Sequence, residues 1–163
     1  MTTGWPAAEP DPVQRLRVMA AGLNAVMYAE EYIDAPVTDV WDVAGDLEGE
    51  LPHLVPTLKA FRLIPDHRPG TPERGRARAY GPFGHTALFD VLLRPGYCLM
   101  QSRFVVGGMA AVSEGDGTRF AVLGGLRAGR PAGALNVLRS LGRSRGLLMI
   151  ARARRRTAAR RAR

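Results

Sequence analysis

His85, Asp90 and Ser102 supply a base, an acid to orient it and a nucleophile, the residue types a hydrolase needs within reach of one another. His85 and Asp90, however, stand five apart on what reads as one strand, and an odd separation turns them to opposite faces. The simplest triad is thereby removed. His53, His67 and His85 fall in three different elements without metal-ligand spacing. Gly124-Gly125-Leu126-Arg127-Ala128-Gly129 lacks the lysine and the helix start of a phosphate-binding loop. No metal or cofactor is expected. Tyr80, His85, Arg103 and Arg145 are further polar side chains of the types that acid–base chemistry uses. Spacing places none of them, so no catalytic residue is assigned.

The elements that must hold such residues are bounded by size and charge. At 163 residues and 46% hydrophobic content, one domain with a substantial core is expected. Cys98 is the single cysteine, which excludes an internal disulfide and makes a reducing cytoplasm the default location. Val18 to Ala29 is nearly free of charge, but Glu9, Asp11 and the prolines ahead of it, and Asn24 within it, argue against an export signal. No stretch approaches the roughly 18–20 apolar residues of a spanning helix. Up to Asp116 there are 15 acidic and 10 basic residues, a net of −5, whereas from Gly117 onward there are 13 arginines and no acid. The chain reads as a mildly acidic body with a strongly basic C-terminal segment. Lys59 is the one lysine, and with Ala and Gly so abundant the arginine preference reads as the codon usage of a GC-rich genome.

Residues 1–11 are rich in Pro and Ala and read as a loose arm; Val13, Leu16 and Ala20 then recur at helical spacing over Pro12 to Ala21. From Val26 an apolar run reaches Tyr32-Ile33-Asp34, breaks at Ala35-Pro36 and restarts with Val37, Val40, Trp41 and Ala44 on one helical side. That is a strand entering a helix, with Pro36 at the first helical position and Asp34 offering its carboxylate to the first turn. Asp46 can cap a second short helix over Leu47 to Leu54, kept short by Pro52 and Pro56. Six further strands follow, at Leu58–Ile64, Arg74–Tyr80, His85–Leu93, Tyr97–Val106, Met109–Ser113 and Thr118–Leu126. Their separators include Gly81-Pro82, Pro95-Gly96, Gly107-Gly108 and Gly115-Asp116-Gly117. Such short connections favour an antiparallel meander over βαβ units. A last helix is expected from Pro131 to about Arg156, with the stripe Ala134, Val137, Leu138, Leu141, Leu148, Met149 crossed by Arg145 and Arg152. Gly133, Gly142 and Gly146 weaken it by about 1 kcal/mol each, so packing on the sheet must hold it.

The "I-x-A-P-x-x-V-W" junction at Ile33 to Trp41 resembles the START-like superfamily, the polyketide cyclase/dehydrase and lipid-transport type that includes Bet v 1-like proteins. Leu93-Arg94-Pro95-Gly96 before a strand and Glu114-Gly115-Asp116-Gly117-Thr118-Arg119 between the last two strands strengthen the match, which covers roughly Tyr28 to Arg152. The resemblance implies an α+β helix-grip fold: a seven-stranded antiparallel curved sheet wrapped around a long C-terminal helix, with two short helices after the first strand. On this reading residues 1–25 are an arm, 26–152 the domain and 153–163 a frayed basic tail.

Alternation along the strands selects Ala77 and Ala79, then His85, Ala87, Phe89, Val91 and Leu93, then Cys98, Met100, Ser102 and Phe104, then Phe120, Val122 and Leu126 as the inward residues. Taken alone, this set either lines a pocket or packs solidly on the last helix. The resemblance implies a cavity for a small hydrophobic molecule such as a lipid or polyketide, lined by Trp41, Phe61, Ala77, Ala79, His85, Phe89, Met100, Phe104, Phe120, Leu138, Leu141, Arg145 and Leu148. Arg145 either reaches inward to hold a carboxylate or phenolate or snorkels to water, and His85 either donates to a ligand or is an ordinary exposed histidine. Polyketide cyclase or dehydratase chemistry in the same cavity is the alternative. A third class is binding through the tail, where seven arginines between Arg152 and Arg163 would attract an anionic membrane surface or nucleic acid. No aromatic residue follows Phe120, so nucleic acid lacks a stacking platform there and ranks below the membrane.

Overall fold

The computed structural model describes residues 9–23, 27–65, 73–127 and 135–163, and the side chains of all of these except 135–141. Asp11 accepts a hydrogen bond from the Gln14 amide at 2.9 Å and starts helix α1, Pro12–Gly22. As the sequence spacing predicts, Val13, Leu16 and Ala20 are its buried residues. Strand β1, Met27–Ile33, leads through a tight turn into α2, Val37–Ala44. Pro36 sits at the N-cap of α2 rather than at its first helical position, and no side chain, Asp34 included, caps the helix. Asp46 instead closes a turn, accepting from the Gly49 amide at 2.8 Å, so the second short helix, α3, spans only Leu51–Leu54.

The remaining strands are β2 (Ala60–Ile64), β3 (Arg74–Tyr80), β4 (Thr86–Arg94), β5 (Tyr97–Gln101), β6 (Val105–Glu114) and β7 (Gly117–Leu126). They form one antiparallel sheet in the order β1-β7-β6-β5-β4-β3-β2, so the meander closes by bringing the first strand beside the last. Helix α4, Leu135–Arg161, packs along β1 and β7 and against α2 and α3. This is the α+β helix-grip architecture that the resemblance implies. The expected helix start at Pro131 lies outside the described residues.

Three local expectations are corrected. The strand expected over Tyr97 to Val106 is two strands, because Ser102 makes a turn: its Oγ accepts from the Phe104 and Val105 amides at 3.3 and 3.0 Å. Gly107 and Gly108, expected to turn, lie inside β6. A Cβ on Gly108 would stand 2.8 Å from Leu16 Cδ1, so the glycine makes room for α1. Residues 153–161, expected to fray, continue α4.

Two apolar clusters result. On the concave face Ile33, Val40, Val43, Phe61, Ala77, Met109, Phe120 and Val122 are buried with Met149, Ile150 and Ala153 of α4. On the convex face Val13, Leu16 and Ala20 pack against Tyr97, Leu99, Val106, Ala110, Ala121 and Leu123. Alternate residues of β5, β6 and β7 therefore feed opposite cores, which is why these strands read as nearly continuous apolar runs. Leu16 is fully buried, worth about 2 kcal/mol. Among the described residues no helix is long and apolar enough to cross a membrane.

Candidate ligand-binding site

The buried line of α4 differs from the expected stripe. Gly142, Gly146, Met149, Ile150, Ala153 and Thr157 face inward, while Leu148 is 55% exposed and Arg145 is exposed. The reason is proximity: a Cβ on Gly146 would stand 2.8 Å from Ala29 Cβ and 3.3 Å from Met27 Cγ. Small residues let the helix lie close on β1, and Leu148 is turned away. The side chains of Leu138 and Leu141 lie outside the described residues.

With α4 set along β1 and β7, the concave side of β3, β4 and β5 forms the floor of the candidate site. Ala77 faces Phe89 across the β3–β4 pair, and Ala79 faces Ala87. Ala77 and Ala79 of β3 are buried, and along β4 Val91 is buried, Phe89 half-buried and Ala87 exposed, so on that strand the floor runs from packed core to solvent. Phe61, on the edge strand β2, meets the Phe89 ring at 6.0 Å between centroids and 58° between planes. Val91 and Met100 pair beside them, as do Leu93 and Cys98. The inward assignments of Ala77, Ala79, Ala87, Phe89, Val91, Cys98, Met100, Phe120 and Val122 agree with the sheet register. Trp41 is half-buried against the same cluster.

Other candidates are placed elsewhere. Phe104, expected inward on a strand, lies in the Ser102 turn and is 62% exposed. His85 precedes β4, is exposed, and has its ring over Gly81, where a Cβ would stand 2.0 Å from Nε2. Asp90 pairs with Arg76 and Gln101 on the convex face. The types suited to a triad are thus dispersed.

The concave face is chemically quiet. Burial pushes the Cys98 thiol up to about 12, which keeps it protonated and without nucleophilic strength near neutrality. Thr118 donates to Ala35 O at 2.7 Å, and Glu31 pairs with Arg154 at 3.2 Å. Among the described residues no group of three His, Cys, Asp or Glu side chains comes together as a metal site would need.

The C-terminal turns of α4 carry a network that sequence reasoning missed, since it joins residues about a hundred positions apart. Arg156 donates to both oxygens of Glu50, at 2.6 and 3.0 Å, and Arg160 reaches Glu50 at 3.2 Å and Asp46 at 3.1 Å. Arg161 meets Asp39 at 3.4 Å, and Arg152 donates to Leu54 O at 3.3 Å. The Arg156 guanidinium holds the Glu50 carboxyl below its ordinary range. The excess of acid in the body was the available signal.

Similar folds occur in several solved structures. TTHA0849 from Thermus thermophilus is 23% identical, with a TM-score of 0.58 over 82% of this chain and 97% of that one. The Zhui aromatase/cyclase from Streptomyces sp. R1128 is 16% identical, with a TM-score of 0.56 over 84% and 94%. Ara h 8.0201 is 10% identical, with a TM-score of 0.53 over 82% and 97%. At these identities the likeness is one of fold. No protein-family model matches the chain, and no curated protein matches it significantly.

Proposed function

We propose that this protein binds a small hydrophobic molecule, a lipid or polyketide, between the concave side of β3–β5 and helix α4. The observation that carries the reading is the floor itself: small Ala77, Ala79 and Ala87 beside Phe61 and Phe89, grading along β4 from buried Val91 through Phe89 to exposed Ala87. Small side chains leave room, and rings beside them give an apolar wall that holds a ligand by shape. Trp41, Met100 and Phe120 extend the wall. His85, Phe104, Arg145 and Leu148, all exposed, are not part of it. The aromatase/cyclase among the similar folds keeps an enzymatic use of the same site in play, but the described concave residues offer a protonated thiol and paired polar groups, which suit carriage better than proton transfer. A buried, protonated single cysteine also fits a reducing compartment such as the cytoplasm.

An environment-sensitive fatty-acid probe tests this. The protein should bind the probe, release it to competing lipids, and carry a co-purified lipophilic molecule in native mass spectrometry. Ala87→Trp fills the exposed end of the floor from a position that is itself exposed, and should weaken probe binding at least about tenfold with the chain still folding cooperatively. A folded protein that ignores the probe, or an Ala87→Trp variant that binds it equally well, removes the proposal.

A further inference from the structure

The antiparallel topology gathers the loop 55–59, the turn 81–85, the turn 102–104 and Arg127 at one end of the sheet, where β1, β2, β4 and β6 begin. None of these described loops contains an aspartate or glutamate. Asp34, Glu73 and Asp116 all lie in the connections at the opposite end. The acid-free end also displays two phenylalanines at hairpin tips: Phe83 is 91% exposed and Phe104 is 62% exposed. Phe104 is set beside cationic groups. The Arg103 guanidinium lies 5.3 Å from the Phe104 ring centroid, and Arg127 fixes that turn, donating from its amide to Phe104 O at 2.9 Å and from Nη1 to Ser102 O at 3.1 Å. The Phe83 turn borders, through Gly81 and Gly84, a surface depression of about 390 Å³ lined also by Lys59, Ala60, Arg62 and Tyr80.

We propose that this end of the molecule docks on an anionic lipid bilayer, with Phe83 and Phe104 entering the interface and Lys59, Arg62, Arg103 and Arg127 facing lipid phosphates. An aromatic ring at a turn tip is unfavourable in water and finds its place at the headgroup boundary, while cations around it gain from the negative surface potential. The charge complementarity singles out an anionic surface over a neutral one. This assigns the membrane contact to the hairpin tips in place of the C-terminal arginines, four of which are already paired with carboxylates within the chain. The docking stands whether or not the concave site holds a ligand.

The test is flotation of the full chain with vesicles of phosphatidylcholine alone and of phosphatidylcholine with phosphatidylglycerol. The protein should float with the anionic vesicles at low ionic strength, float less as salt is added, and remain unbound with the neutral ones. Arg103→Glu, and separately the double substitution Phe83→Ser with Phe104→Ser, should each weaken binding about tenfold or more. Arg155→Glu, an equal charge change at an exposed position of α4, should leave it within about twofold. A Phe83→Trp protein should gain a blue-shifted emission component with anionic vesicles and not with neutral ones. Failure to bind anionic vesicles, equal binding after the double serine substitution, or equal loss from Arg155→Glu would each overturn the proposal.

Discussion

The two ends of this molecule handle arginine in opposite ways. Where α4 finishes, Arg154, Arg156, Arg160 and Arg161 reach back to Glu31, Glu50, Asp46 and Asp39, and the basic segment is anchored by the acidic body. Where α4 begins, the described loops carry Lys59, Arg103 and Arg127 with no acid among them; Arg103 lies over an exposed ring and Arg127 donates to a backbone carbonyl. Net charge is therefore a poor guide to where a basic protein meets its partners. What matters is which cations already have a carboxylate within reach, because the charge of a paired guanidinium is largely compensated inside the fold.

The contrast is broken most severely by removing residues 153–163. A frayed tail would be dispensable, but this segment buries Ala153 and Thr157 and supplies the arginines of the Glu50 network. Truncation after Arg152 should cost about 4 kcal/mol or more, or abolish cooperative unfolding. Thermal denaturation followed by circular dichroism decides it. A truncated chain that melts like the full one would return the segment to the status of a loose tail.

Glu50→Gln is the smaller perturbation of the same end. Glu50 is 5% exposed and bonded through both oxygens, so losing its charge should cost about 2 kcal/mol, a melting shift of roughly 4–8 °C at this chain length. Its carboxyl is held below the ordinary value of 4.5, chiefly by the hydrogen bonds from Arg156. A lowered folded-state value means the contribution is complete above 4.5 and is lost as pH falls through the folded value. The stability gap between the native chain and Glu50→Gln should be constant near neutrality and close in acid. A gap independent of pH would show that the network contributes through packing and not through charge.

Much of the fold was legible in the sequence because its signals are local. The α1 periodicity of Val13, Leu16 and Ala20, the strand-to-helix passage at Ala35-Pro36 and the turn at Pro95-Gly96 each lie within a few residues, and each is where it was expected. The Gly107-Gly108 pair misled because glycine serves two ends: it permits turns, and it permits close approach. Here Leu16, some ninety positions earlier, decides between them. Gly146 repeats the lesson, since what reads as a helix weakness is the contact that seats α4 on β1 and rotates Leu148 outward. At the candidate site, alternation placed Ala77, Ala79, Phe89 and Met100 on the concave face, because strand period is a property of the backbone. It failed for Phe104, because Ser102, two residues before it, turns the chain.

That failure leads to the smallest expected effect. If Phe83 and Phe104 are surface rings kept for a partner outside the chain, their removal should leave folding untouched. Phe83→Ser and Phe104→Ser, separately and together, should change stability by less than about 0.5 kcal/mol each, a melting shift of roughly 1–2 °C. A core phenylalanine such as the fully buried Phe120 would cost about 3–5 kcal/mol on truncation to alanine. Thermal melts of these variants beside Phe120→Ala measure the difference directly. A loss at Phe83 or Phe104 approaching that at Phe120 would mean that the rings pack within the fold, and the acid-free end would then be an ordinary structural edge and not a surface awaiting a membrane.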